Sequence, residues 1–243
     1  MQHRVGSRVE VWFCNTVAAF LRYVAERVLP ISVPMLMRDA AVTDSFAFAK
    51  DHLTEAWPFL DRFQGLTGLI GEARRRFPDR RCILEFGVFK AQMLNYQAKR
   101  FPGLTFVGFD SFKGLGEEWK GVMQKGAFDL GGQLPRVRRN VSLVKGWFSD
   151  TLPTWKAANG VGTVPLLIHI DCDTYGGTLD VLSHCVDYVE HGLFMHFDDY
   201  FGLPNWRNGG HRALTEVSAR NNWKITYLCY GTKEVGVYVE IAA

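Results

Sequence analysis

The stretch ITYLCYGTKEVGVYVEI, residues 225–241, holds two runs rich in β-branched and aromatic residues with only GTKE between them. Four residues cannot carry a helical crossover, so the two runs are predicted to pair antiparallel as a hairpin. Upstream lie five more short apolar runs: RCILEF (81–86), LTFVGF (104–109), VSLVKG (141–146), PLLIHI (165–170) and GLFMHF (192–197). These are nearly continuous in hydrophobicity and mostly separated by helical stretches, which is how a parallel sheet covered on both faces reads. The expectation is an α/β fold: a seven-stranded, mostly parallel, Rossmann-like sheet ending in an antiparallel edge hairpin.

Before residue 80 the pattern changes. Residues 8–29 and 44–77 carry apolar residues at a period near 3.6, and Pro30 and Pro34 separate them. Residues 1–79 are therefore expected to form a helical appendage and residues 80–243 the sheet domain. The segment 8–28 is interrupted by Arg8, Glu10, Asn15, Arg22, Glu26 and Arg27. A membrane span needs about 18 uninterrupted apolar residues, so an amphipathic helix is predicted there, with a partner helix or a second copy of the chain as a possible contact.

Composition narrows the function classes. Twenty-eight Lys and Arg against 25 Asp and Glu give a net charge of +3, which argues against a dedicated polyanion binder. The basic runs 73–77, 79–81 and 136–140 lack interleaved aromatics and read as solvated faces, so no nucleic-acid partner is expected. Five scattered cysteines without a CxxC pair argue against a disulfide framework or a zinc site and suit a reducing cytoplasm.

Ligands of open parallel sheets bind at the carboxyl ends of the strands. Those ends carry Glu85 and Gly87, Asp110, Gly146 and Trp147, Asp171 and Asp173, and Asp198 and Asp199. Carboxylates gathered on one rim repel each other and need a cation or hydroxyl groups to hold them. In ILEFGVFKAQMLNY (83–96) a strand turns at Gly87 into a helix, where the glycine would let a ligand approach the backbone. Val88, Phe89 and Ala91 stand where a dinucleotide loop would need glycines, which disfavours a nicotinamide-dependent oxidoreductase. Asp110, 25 positions after Glu85, suits a ribose diol.

The blocks EFGV (85–88), GFDSF (108–112), KGWFSDTLP (145–153), HIDCDTY (169–175) and FDDYF (197–201), in this order, resemble the macrocin O-methyltransferase family of class I S-adenosylmethionine-dependent methyltransferases. The resemblance covers roughly residues 80–243. It implies a seven-stranded sheet with a reversed last strand, bound S-adenosylmethionine, and magnesium beside the site of methyl transfer. Carried over by residue, it places Glu85 and Gly87 around the methionine portion, Asp110 at the ribose, and Gly146, Trp147 and Phe148 at the adenine, with Val88 and Ser111 as further cofactor-binding residues. One departure is Ala91, where relatives often have glycine; a cofactor-binding module without turnover is the alternative that departure favours.

Asp171, Asp198 and Asp199 are the expected metal ligands, with Asp173 as a replacement for Asp171. Hard oxygen donors without a soft partner suit Mg²⁺. The expected reaction is methyl transfer to a hydroxyl of a sugar or other small natural product. Candidate bases are Asp171 or Asp173, then His169, His196 and His211, the last in WRNGGHRAL (206–214) at a predicted helix start. The Gly-rich segment 113–135 is too long for a passive connector and is expected to fold over the acceptor.

Overall fold

A computed structural model describes residues 32–159 and 164–242, together with Val17. The expected helix over 8–28 lies outside the described residues, Val17 excepted. The chain divides by contacts into a first unit, Met1–Ala40, and a second, Ala41–Ala243. Among its described residues the first unit holds the exposed opening turns of α1 (Val33–His52). The second holds everything described below. No helix among the described residues is long and apolar enough to cross a membrane.

After α1 come β1 (Trp57–Pro58), α2 (Arg62–Arg76), β2 (Cys82–Phe86), α3 (Gln92–Arg100), β3 (Thr105–Asp110), β4 (Val141–Lys145) and α4 (Phe148–Asn159). Then follow β5 (Leu167–Ile170), α5 (Tyr175–His184), α6 (Val186–Val189), β6 (Leu193–Phe197), a 3-10 turn (Trp206–Asn208), α7 (Gly210–Arg220), β7 (Trp223–Tyr230) and β8 (Val235–Ile241). The strands form one sheet of order β1-β7-β8-β6-β5-β2-β3-β4. All seven expected strands are present. Only β8 runs against the others, pairing antiparallel with both β6 and β7.

Two details differ from the expectation. The hairpin does not end the sheet with its last strand, because β8 inserts between β6 and β7. Outside β7 lies an eighth strand, the two-residue β1, whose Trp57 and Pro58 pair with Cys229 and Tyr230. A run that short carries no period for a sequence to show.

The continuous apolarity of the central strands has a simple cause: successive residues enter opposite cores. Leu84, Val107, Ile168 and Met195 face the cluster that holds α5 and α7, whereas Ile83, Phe106, Leu167 and Phe194 face that of α2 and α3. Burying Leu66, Leu69 and Ile70 of α2 contributes roughly 2 kcal/mol each. Asp61 caps this helix, accepting a hydrogen bond from Gln64 N at 2.8 Å, and that fixes the first helical residue, Arg62. The strand order reverses between β2 and β5, so a crevice opens at the carboxyl ends of those two strands.

Candidate functional site

Gly87 follows β2 with φ +90°. Its N–H donates to Phe109 O at 3.0 Å, and a Cβ there would collide with the carbonyl oxygen of Asp171. The missing side chain therefore admits the neighbouring strand end, and the residue also borders the cavity described below. The next two amides, Val88 N and Phe89 N, donate to Asp110 Oδ2 at 2.9 and 2.8 Å, and Phe112 N donates to Asp110 Oδ1 at 2.7 Å. Asp110 thus staples two loops before it meets anything else. Of the roughly four lone-pair positions on a carboxylate, three are engaged. Ala91, at φ +57°, caps α3 and is fully buried. A left-handed residue is where glycine is favoured; the position demands backbone freedom and does not border the cavity.

Replacing Asp110 by Ala leaves three loop amides without their acceptor. Each unmade bond costs about 1 kcal/mol where water can reach it and more where it cannot. Asp110→Ala is therefore expected to lose roughly 3 kcal/mol of stability together with ligand affinity, and Asp110→Asn, which keeps one carbonyl oxygen, to lose less. Thermal unfolding of both variants checks the order.

A cavity of about 580 Å³ opens beside this turn, and its lining includes Gly87, Val88, Asp110, Ser111, Trp147 and Phe148. Trp147 is 45% exposed and packs on Gly116, where a Cβ would come within 3.1 Å of the indole. Phe148 meets Phe86 edge to face. An open aromatic wall next to a carboxylate can take a nucleoside.

Three expected site residues stand elsewhere. Glu85 is buried behind the cavity, its Oε2 3.0 Å from His169 Nδ1, and strand register places the two side by side. Gly146 donates to Asp110 O at 2.9 Å and, at φ +148°, redirects the chain into α4. His211 packs against Trp206 and Phe48 at ring distances of 4.9 and 5.4 Å. It borders neither this cavity nor the second one beside it. Burial first, then Arg207, lowers its pKa to about 4, so it stays neutral inside an aromatic cluster.

The acids occupy the far side of the same cavity. Carboxylate oxygens of Asp171, Asp173 and Asp199 lie within 4.8 Å of one another. Asp173 reaches the group from a left-handed backbone, φ +63°, a strained conformation of the kind that collects at functional sites. Burial raises all three, with the charge of Asp198 adding to it at Asp171 and Asp199 and that of Asp199 at Asp173: Asp171 moves well above the usual range, Asp173 to about 8, and Asp199 upward despite Lys233. Oxygen donors held together against their repulsion fit a hard divalent cation.

Asp198, expected in this group, is turned to another task. Its Oδ2 accepts from Arg62 Nη1 at 2.7 Å, and Oδ1 lies 3.9 Å from His169 Nε2. Burial alone would raise its pKa, but His169 and Arg62 outweigh burial and hold it below the usual range. His169 responds in kind: burial opposes its charge, yet Asp198 and Glu85 raise it to about 10. His196, buried and repelled by His169, falls to about 3 and is neutral. Asp173 replaces Asp198 in the cluster because Arg62 claims the latter.

Arg62 and Lys233, which binds Asp199 at 2.7 Å, are the site residues the sequence reading missed. Lys233 had a signal. It sits in the GTKE link, and a turn that follows β7, a strand parallel to β6, must lie at the same end as Asp198 and Asp199. Arg62 had none, since it comes from a helix far upstream.

Residues 128–224 match the family described as macrocin-O-methyltransferase (TylF), a segment that holds three of the five motifs, those at 145–153, 169–175 and 197–201. The chain is 29% identical over 144 residues to mycinamicin III 3''-O-methyltransferase of Micromonospora griseorubida, covering 54% of each. It is 30% identical over 137 residues to demethyldecarbamoylnovobiocin O-methyltransferase of Streptomyces niveus, covering 51% of this chain and 49% of that one. The chain thus spans about half the length of the curated relatives it matches. Among solved structures, the calicheamicin methyltransferase CalS11 shares the fold, with a TM-score of 0.55 and 23% identity over 73% of this chain and 80% of that one.

Proposed function

We propose that this protein is an S-adenosylmethionine-dependent O-methyltransferase acting, with Mg²⁺, on a hydroxyl of a sugar or other small natural product. One observation carries the reading: a nucleoside-suited wall and a three-carboxylate cluster border the same cavity at the strand-order switch. The similarity to O-methyltransferases of natural-product compounds supports it. Trp147 and Phe148 would flank the adenine. The one uncommitted lone-pair position of Asp110 would accept from a ribose hydroxyl, a narrower role than binding both hydroxyls. Asp171, Asp173 and Asp199 would hold the cation. When bound, the sulfonium supplies an electrophilic methyl group, and the cation supplies charge that favours a deprotonated acceptor oxygen.

The chain's own part is orientation and proton removal. In-line displacement requires the acceptor oxygen to face the methyl group, and fixing it there is worth several kcal/mol. Asp173 and Asp199, at the acceptor side of the cavity, position that hydroxyl, and a carboxylate of the cluster receives its proton. His211 has no place in this scheme. The binding module without turnover loses its one support, because Ala91 lies in the core and leaves the cavity unobstructed.

Isothermal titration with S-adenosylmethionine and with NAD⁺, followed by Mg²⁺-dependent release of S-adenosylhomocysteine across hydroxylated acceptors, tests the proposal. Binding of the first alone is expected. Asp173→Asn is expected to keep that affinity and lose the response to Mg²⁺. Binding of NAD⁺, or turnover indifferent to chelator, would overturn it.

A further inference from the structure

Glu85 lies buried behind the cavity against His169, so the amino-acid end of S-adenosylmethionine has lost the partner that the family resemblance gave it. That end carries an α-carboxylate. A carboxylate leaving water needs a cation or several N–H donors in exchange. The amides of the turn after β2 cannot serve, because Gly87 N donates to Phe109 O, and Val88 N and Phe89 N donate to Asp110 Oδ2. Among the described residues that line the cavity, only Arg62 and Lys233 are cationic. Lys233 is tied to Asp199 at 2.7 Å, within the acid cluster proposed for the metal. Arg62 remains.

Its guanidinium is fixed from both ends of the side chain. Asp61 caps α2 and makes Arg62 its first residue, and the buried Leu66, Leu69 and Ile70 seat that helix on the sheet. At the other end Nη1 donates to Asp198 Oδ2 at 2.7 Å, and the Phe63 ring centre lies 5.3 Å from Cζ. Nε and Nη2 have no hydrogen-bond partner among the described residues. The N–H groups along that edge of a guanidinium are parallel and match the two oxygens of a carboxylate. Asp198 also faces His169, with Oδ1 3.9 Å from Nε2, so one carboxylate serves two cations. In the sheet, β5 alone separates β6, which leads to Asp198, from β2, which leads to the Gly87 turn. Arg62 and that turn therefore border one opening.

We infer that Arg62 is a specificity-determining residue of the cofactor site: its Nε–Nη2 edge binds the α-carboxylate of the methionine portion, and Asp198 aims that edge. The inference rests on the methyltransferase reading. It adds a discrimination that the aromatic wall and Asp110 cannot make, since both meet only the nucleoside. Decarboxylated S-adenosylmethionine has the same nucleoside, sulfonium and methyl group and lacks the carboxylate alone. With that ligand bound, Arg62 would face an ammonium group with no anion between them, and like charges repel.

Isothermal titration with the two ligands tests this, read as the ratio of their affinities within one protein, so that any loss of folded fraction cancels. The wild-type protein is expected to prefer S-adenosylmethionine by about tenfold or more, the effect of a hydrogen bond between charged groups. Arg62→Met is expected to bring the ratio to about one, weakening S-adenosylmethionine and leaving the decarboxylated ligand unchanged or tighter. Arg62→Lys, which keeps the charge and loses the fork, is expected to fall between them. Equal affinities in the wild-type protein, or a wild-type ratio retained by Arg62→Met, would overturn the inference and leave the methyltransferase reading in place. Binding of neither ligand by the wild-type protein is the failure of that reading itself and takes the inference with it.

Discussion

Gly87→Ala is expected to lower the melting temperature by about 10 °C and to disorder the acid cluster with it. The backbone at Gly87 has φ +90°, a region that costs an L-residue about 1–2 kcal/mol. The added Cβ would also fall well inside contact distance of Asp171 O, a backbone atom whose own residue is tied to Phe86 O through its N–H at 2.8 Å. Neither side can yield by a rotamer change, and overpacking of this kind costs about 1–3 kcal/mol. The sum, roughly 2–5 kcal/mol, converts to the stated shift at about 2–4 °C per kcal/mol for a domain of this size. Gly71→Ala is the matched control. Gly71 sits in α2 with nothing within 4 Å of its missing Cβ, so Ala there is expected to stabilise by about 0.5–1 kcal/mol. Differential scanning calorimetry of the two variants measures both signs. Equal melting temperatures would mean that β2 and β5 do not meet as described.

The architecture was legible because hydrophobic continuity and link length report directly on strand environment. The four residues of GTKE excluded a crossover, and the unbroken apolar runs required cover on both faces. Carboxylates at strand ends marked the rim for the same reason, since an acid after an apolar run must emerge from the sheet. What each acid does there was less legible. Asp198 and Asp199 are adjacent in sequence, yet one turns to Arg62 and the other to Lys233, and only the packing of α2 and of the β7–β8 link sets that division. Asp173 reaches the cluster through a left-handed backbone that no residue pattern announces. Gly87 and Ala91 show the same limit: the sequence marks unusual backbone there without saying whether a ligand, a strand or a helix start requires it. His211 misled because a helix start suggested exposure, whereas Phe48, Tyr200 and Trp206 enclose it.

Asp198→Ala separates the two divisions of labour. Were Asp198 chiefly a metal ligand, its removal would abolish the response to Mg²⁺ and leave the fold intact. In the structure it is the counter-ion of two cations, Arg62 at 2.7 Å and His169 at 3.9 Å. Its own side chain is 4% exposed, against 38% for Arg62. Breaking a fully buried pair from one side costs about 3–5 kcal/mol, and the partial exposure of Arg62 reduces that, so a loss of roughly 2–3 kcal/mol is expected. The loss belongs to stranded positive charge. Removing Arg62 as well is therefore expected to return part of it, and Asp198→Ala with Arg62→Met is expected to be less destabilised than the two single variants together, by about 1–2 kcal/mol. Urea unfolding of the four proteins yields that coupling. Asp173→Asn is expected to behave in the opposite manner, relieving repulsion in the cluster and leaving stability unchanged or raised while the Mg²⁺ response is lost. Additive costs for Asp198→Ala and Arg62→Met, with stability otherwise intact, would return Asp198 to the metal and remove Asp173 from it.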